Sequence, residues 1–241
     1  MEGIYIKPRQ ITDSTTLAKG GIIKDYGNTP PRIMLLGDSH SLMWAPILDE
    51  IANELNASIS FCGMDGVPPY IKPNKKIKPN RYDFETLAYI QKWKPIVILA
   101  SRWSYFWDKK LLDQTIELIS QNGGRTLLIQ QPPELFFGDK NAPKTLSLMG
   151  IKPEGKREFF IPTAKDDNYH KAASYLRVLS EKQANCQHIE IADLFLNEDG
   201  LVKVLSAKKV FYIDEDHLSL EGAKLAKERI ARVIADMLSR K

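Results

Sequence analysis

Five short apolar runs recur along this chain, and between them the apolar residues switch to helical spacing. The runs are RIMLL (32–36), ASISF (57–61), PIVILA (95–100), RTLLIQ (125–130) and HIEIA (188–192). Runs of this length, rich in Ile, Val and Leu, fit strands covered by helices. The segments between them read as helices over Ser39–Leu55, Tyr82–Trp93, Leu111–Gln121 and Tyr169–Gln183. Pro46 falls within the first two turns of its helix, where a proline is tolerated. A last helix follows the Ser219 cap and runs to about Ser239. Such alternation predicts an α/β domain, a three-layer α/β/α sandwich around a mostly parallel five-stranded sheet of flavodoxin-like outline. In sheets of this kind ligands sit outside the carboxyl ends of the strands.

The rest of the chain is less regular. Residues 1–31 are polar and end in Asn-Thr-Pro-Pro, which reads as a linker or N-terminal arm ahead of a domain over 32–241. Residues 131 to about 168 are rich in Pro and Gly and read as a long irregular loop. Val202–Ile213 reads as a short hairpin feeding a loop.

With 241 residues, 43% of them apolar, the chain can bury one sizeable core. The net charge of +4 comes without a dense basic tract, and Lys72–Lys78 (KPNKKIK) reads as a solvated, proline-broken loop. Nucleic acid is therefore not expected as a partner. The two cysteines, Cys62 and Cys186, have no metal-ligand spacing, so no metal is expected. One disulfide between them is compatible with the count. No GxGxxG or GxxxxGK[ST] stretch supports a nucleotide binder. No apolar run approaches the roughly 20 residues of a membrane span. The start, MEGIYIKPRQ, lacks the apolar stretch of a signal peptide. Read as it stands the chain is soluble and cytosolic; read as a piece of a longer protein, it carries no address.

The first apolar run stops at Gly37-Asp38-Ser39-His40 and a helix pattern starts at once. Such a turn is either an ordinary capped strand-to-helix connection or a nucleophile held at the sheet edge. Serine attacks only with an imidazole in hydrogen-bond reach, and the imidazole needs an acid to fix its tautomer. Of the four histidines, His40 follows the serine directly and is expected to point elsewhere, while His170 and His188 read as structural. His217 lies in Asp214-Glu-Asp-His-Leu-Ser219, just before the last helix. Alone, this could be a solvated acidic turn. Paired with Ser39 it reads as an acid–histidine unit at the same sheet edge. Asp214 is preferred as orienter over Asp216, because adjacent side chains diverge. Asp38 is expected to hold the Ser39 turn through backbone amides.

Together, GDSH after the first strand and DxxHLS before the last helix resemble the SGNH hydrolase superfamily. The similarity is greatest to the SGNH domain that follows the membrane acyltransferase-3 domain in bacterial polysaccharide O-acetyltransferases. Gly66-Val-Pro-Pro69 resembles that subgroup's Gly/Cys-Pro-Pro loop. Ile98–Tyr105 resembles its Leu-Ala-x-Arg-Trp-x-x-Tyr segment, and Asp214–Ala223 its Asp-Asp-x-His-Leu-Ser-x-x-Gly-Ala ending. The resemblance covers about residues 20–238. It implies an SGNH catalytic domain with Ser39 as nucleophile, His217 as base and then acid, and Asp214 as orienter. It also implies an oxyanion hole from the Ser39 amide and a glycine, Gly66 first and Gly63 second. The superfamily's third donor, an Asn, is missing, since the strand ends Ala100-Ser-Arg-Trp103. Arg102 could replace it or orient an acceptor sugar. Alternatively Arg102 and Trp103 form a lid with the guanidinium stacked on the indole. Trp103, Tyr105, Phe106 and Trp107 could make a sugar platform or simply pack.

The activity implied is transfer of an acetyl group through acetyl-serine onto a sugar hydroxyl of a bacterial surface polysaccharide. The partners implied are that polysaccharide and a fused or separate acyltransferase-3 membrane domain. This domain would bind no cofactor itself, with acetyl-CoA the ultimate donor through the membrane domain, and its setting would be periplasmic. A carbohydrate acetylesterase with the same triad and a non-catalytic glycan-binding module are the alternatives.

Overall fold

In a parallel strand buried on both faces, successive side chains must satisfy two cores at once. The computed structural model, which describes residues 21–27, 32–72, 81–136, 142–151 and 158–240, shows this in each central strand. The strands are β1 (Ile22–Lys24), β2 (Ile33–Leu36), β3 (Ile59–Phe61), β4 (Ile96–Leu99), β5 (Arg125–Ile129) and β7 (Cys186–Ile189), in the spatial order β1-β3-β2-β4-β5-β7. Ile33 and Leu35 of β2, with Ile96 and Ile98 of β4, face one core; Met34, Leu36, Val97 and Leu99 face the other.

The first core is closed by α2 (Ala45–Glu54) and α8 (Lys227–Ser239), which contribute Ile47, Ile51, Ile230 and Ile234. The second is closed by α3 (Arg81–Trp93), α4 (Lys109–Gln121) and α6 (Asp167–Lys182), through Ile90, Leu112, Ile116 and Leu176. The sandwich therefore has the three layers expected from the alternation. The helix starts are capped where the sequence offers acids: Asp108 accepts from Leu111 N at 3.0 Å, and Asp166 from Asn168 N at 2.8 Å.

The elements differ from the sequence expectation in several details. Among the described residues the sheet has six strands, because Ile22–Lys24, inside the segment read as an arm, pairs antiparallel with β3. The fifth expected run forms its strand two residues early, at Cys186–Ile189. The Ser39–Leu55 helix is split into α1 (Ser39–Leu42) and α2. Pro46 explains the break: it has no N–H for the Leu42 carbonyl and its ring would clash there, so it sits instead in the first turn of α2. The final helix is likewise divided, into α7 (Leu220–Lys224) and α8.

The segment expected to be irregular supplies α5 (Ala142–Leu148) and β6 (Phe159–Pro162). With β8 (Leu201–Ser206) and β9 (Lys209–Val210), β6 forms a small antiparallel sheet. The β8–β9 pair is the expected hairpin. Cys62 and Cys186 are both buried and form no disulfide. The KPNKKIK stretch lies almost wholly outside the described residues.

Candidate active site

The carboxyl end of β2 delivers the first candidate. At Gly37 the backbone turns with φ +143°, and an added Cβ would lie 1.7 Å from the Ala100 carbonyl oxygen. Only glycine fits this close approach of two strand ends. Asp38 follows, fully buried, with Oδ1 accepting from His40 N at 2.8 Å. Its Oδ2 accepts from Ser101 Oγ at 2.6 Å and Arg102 N at 2.9 Å. Asp38 thus ties the β2 turn to the end of β4, and leaves Ser39 half-buried at the start of α1.

The second candidate comes from a turn closed by Ile213 N donating to His217 O at 2.9 Å. Inside it, Asp214 Oδ1 accepts from Asp216 N at 3.1 Å and His217 N at 2.7 Å. The turn is anchored outside by Leu135 N donating to Glu215 O at 2.7 Å. Leu218 N also reaches Met43 Sδ, at the break between α1 and α2, at 3.5 Å.

These two turns meet. His217 Nε2 lies 2.8 Å from Ser39 Oγ, across 178 residues of sequence. On the other side of the ring, Nδ1 lies 3.0 Å from both oxygens of Asp214. Nδ1 is also 2.7 Å from Asp216 Oδ1, so the preferred orienter Asp214 and its competitor Asp216 both face the same nitrogen. Adjacent side chains converge here because the tight turn curls Asp216 inward, where it is 2% exposed.

His40 also departs from expectation. Its ring is buried against that of His217, 4.7 Å between centroids, with Nε2 3.5 Å from Asp216 Oδ2. His170 is exposed on α6, and His188 lies on β7 with its pKa lowered to about 4, mainly by burial.

Burial works against charge on His217, but hydrogen bonds and attraction from Asp214 and Asp216 outweigh it and raise its pKa to about 10. Asp216 is buried too, yet His217 and His40 hold it well below the usual carboxylate range.

The remaining sequence candidates divide. Arg102 is at the site, but not stacked on an indole. Its Nε and Nη2 donate to Glu134 at 3.1 Å each, and Nη1 lies 2.8 Å from Asp216 Oδ2. Trp103 is 1% exposed and donates Nε1–H to Ile129 O at 2.9 Å, so it is a core residue and not a substrate surface. Residues 102 and 103 leave the strand end on opposite sides, one into the cleft and one into the core. Trp107 packs edge-on against Tyr175, whereas Tyr105 is 73% exposed.

Gly66 is exposed at a turn tip, with nothing within 4 Å of an added Cβ. Gly63 is the glycine pressed against the Ser39 turn, its added Cβ 2.3 Å from Ser41 Oγ. Sequence reasoning missed Glu134 and Gln131, which hydrogen-bond each other and Ser104 beneath Arg102. Their signal was position, since QPPE directly follows β5 at the ligand-binding edge.

The ligand atoms of His40, Asp216 and His217 lie within 4.8 Å of one another. Arg102, however, already places a cation on that carboxylate, which disfavours a metal ion there.

A family model described as the SGNH domain (fused to AT3 domains) matches residues 11–232. The chain belongs to this SGNH family. No curated protein sequence matches this SGNH domain. Among solved structures it is similar to the periplasmic domain of a lipopolysaccharide acetyltransferase from Salmonella ser. Paratyphi A. The TM-score is 0.64 at 16% identity, covering 95% of this chain and 99% of that one. It is also similar to a GDSL-like lipase from Bacteroides thetaiotaomicron, with TM-score 0.53 at 11% identity, over 96% and 100% of the two chains. At these identities the likeness is one of fold. Among the described residues, no helix of the SGNH domain is long and apolar enough to cross a membrane.

Proposed function

We propose that this SGNH domain is an O-acetyltransferase domain that carries an acetyl group as acetyl-Ser39 to a sugar hydroxyl of a bacterial surface polysaccharide. The observation that carries the reading is the 2.8 Å contact between Ser39 Oγ and His217 Nε2, with carboxylates on the opposite ring nitrogen. Ser39 Oγ attacks the acetyl carbonyl while His217 Nε2 takes its proton. The carboxylates stabilise the imidazolium that results. The tetrahedral oxyanion is met by the Ser39 amide and the Gly63 amide, each such donor typically worth about 100- to 1,000-fold in rate. His217 returns the proton to the leaving group, and then takes one from the acceptor hydroxyl as it attacks acetyl-Ser39. Arg102, committed to Glu134 and Asp216, serves the charge balance of the site before it serves the oxyanion.

The family's fusion to AT3 domains supports a membrane acyltransferase-3 partner. In this reading acetyl-CoA is the ultimate donor, and this domain itself holds no cofactor. The periplasmic neighbour supports the same compartment here. A carbohydrate acetylesterase is the second reading, because the His217 side chain is 23% exposed and the base is as open to water as to a sugar hydroxyl.

The test is release of p-nitrophenol from its acetate ester, with and without sugar acceptors, together with labelling by a fluorophosphonate probe. Ser39→Ala is expected to abolish turnover and labelling while the melting temperature holds. Unchanged turnover in that variant would remove the reading. Acetylated sugar as product identifies the transferase, and acetate alone the esterase.

A further inference from the structure

Two carboxylates on one imidazole nitrogen are more than a triad needs, and they are held differently. Asp214 has a side chain one-third exposed, and its Oδ1 already accepts two backbone N–H groups of its own turn. The Asp216 side chain is 3% exposed, and both its oxygens are aimed at functional groups. Oδ1 is 2.7 Å from His217 Nδ1; Oδ2 is 2.8 Å from Arg102 Nη1 and 3.5 Å from His40 Nε2. Arg102 is itself clamped by the bidentate contact with Glu134, and Glu134 by Ser104 and Gln131. A buried carboxylate without such partners would be neutralised by desolvation.

We propose that Asp216 is a second positioning residue of the site, sharing the Nδ1 proton of His217 with Asp214 and held in place by Arg102 and His40. This rests on the Ser39–His217 reading for its catalytic meaning, but the sharing itself is a property of the resting protein. The groups facing His217 are Asp214 and Asp216 from its own turn, His40 from α1, and Arg102 from the end of β4 with Glu134 and Glu215 behind it. With both acids present, the imidazolium is stabilised twice. Removing one leaves the other on the same nitrogen, so the two substitutions are non-additive.

The kinetic arm uses p-nitrophenyl acetate across the neutral-to-alkaline range. Asp216→Asn is expected to lower kcat about 10- to 100-fold, and to move the rising limb of kcat/KM, set by deprotonation of His217, to lower pH, because a negative charge beside the base is gone. A merely structural aspartate would not move that limb. Asp214→Asn alone is expected to keep measurable turnover, while the double variant falls to the level of Ser39→Ala.

The second arm needs no turnover: NMR titration of 15N-histidine-labelled protein. In Asp214→Asn the His217 ring is expected to titrate well above the ordinary histidine value of roughly 6.5. A His217 ring that drops to that ordinary value in Asp214→Asn overturns the proposal. So does an Asp216→Asn variant with an unmoved limb. If Asp216→Asn fails to fold, the Asp214→Asn titration decides alone. If Ser39→Ala leaves turnover unchanged and so removes the Ser39–His217 reading, the titration still reports whether the proton is shared.

Discussion

Gly37 has only a hydrogen where any other residue would drive a carbon into the Ala100 carbonyl 1.7 Å away. Gly37→Ala is therefore expected to cost at least about 3 kcal/mol and to abolish fluorophosphonate labelling of Ser39; a variant that melts and labels like the parent would contradict this. The two thiols give another check. Burial pushes both Cys62 and Cys186 up to about 12, against a small opposing hydrogen bond from Ser60 in the case of Cys62. Neither is expected to react with Ellman's reagent until the chain unfolds, and titration before and after denaturant measures it. Ser39, Asp214 and His217 were legible in the sequence because each sits in a short motif whose geometry is local. Asp216 was visible only as a rival to Asp214, and His40 and Glu134 were not visible, because their placement depends on which way a turn curls and on a loop 32 residues from Arg102. For Trp103 the sequence offered a sugar platform or simple packing, and the structure shows packing: adjacency in sequence to Arg102 says nothing about which side of the strand end it takes.

Among the elements, strand and helix identity was legible wherever a long apolar period ran uninterrupted. Breaks were harder. Pro46 was visible, but a proline in the first turns can either start a new helix or sit inside one, and here it starts α2. The third strand of the small sheet, β6, escaped notice because it pairs with β8 some 40 residues away, and non-local pairing leaves little periodic signal in so short a strand. The β8–β9 turn places two ordinary residues, Ala207 and Lys208, at φ +47° and +68°. A two-residue hairpin turn of this kind prefers Asn-Gly. The double substitution Ala207→Asn, Lys208→Gly is expected to stabilise the domain by about 1 kcal/mol, read as a raised urea midpoint at unchanged slope. An unchanged midpoint would mean the turn carries no strain.

For the molecule as a whole, the titration of His217 couples stability to activity. Its folded-state pKa of about 10 exceeds the unfolded value, so the proton is bound more tightly in the folded protein. The stability this contributes is complete below the unfolded value of roughly 6.5 and is lost as pH rises through about 10. Across the same window the neutral imidazole, the form able to accept the Ser39 proton, becomes populated. The melting temperature is thus expected to fall from neutral to alkaline pH while Ser39 acylation speeds up. A flat melting temperature with an activity plateau at neutral pH would return His217 to an ordinary value. The layer order and the crossing connections were legible from alternation alone; the added edge strand β1 was not, being three residues in a polar stretch. Yet that strand sets a direction of approach. Because Ile22 lies opposite Phe61, at the carboxyl end of β3, the polypeptide joins the sheet on the serine side. The described backbone thus enters the fold at the catalytic rim, with β3 between it and β2, and not at the far rim across the sheet.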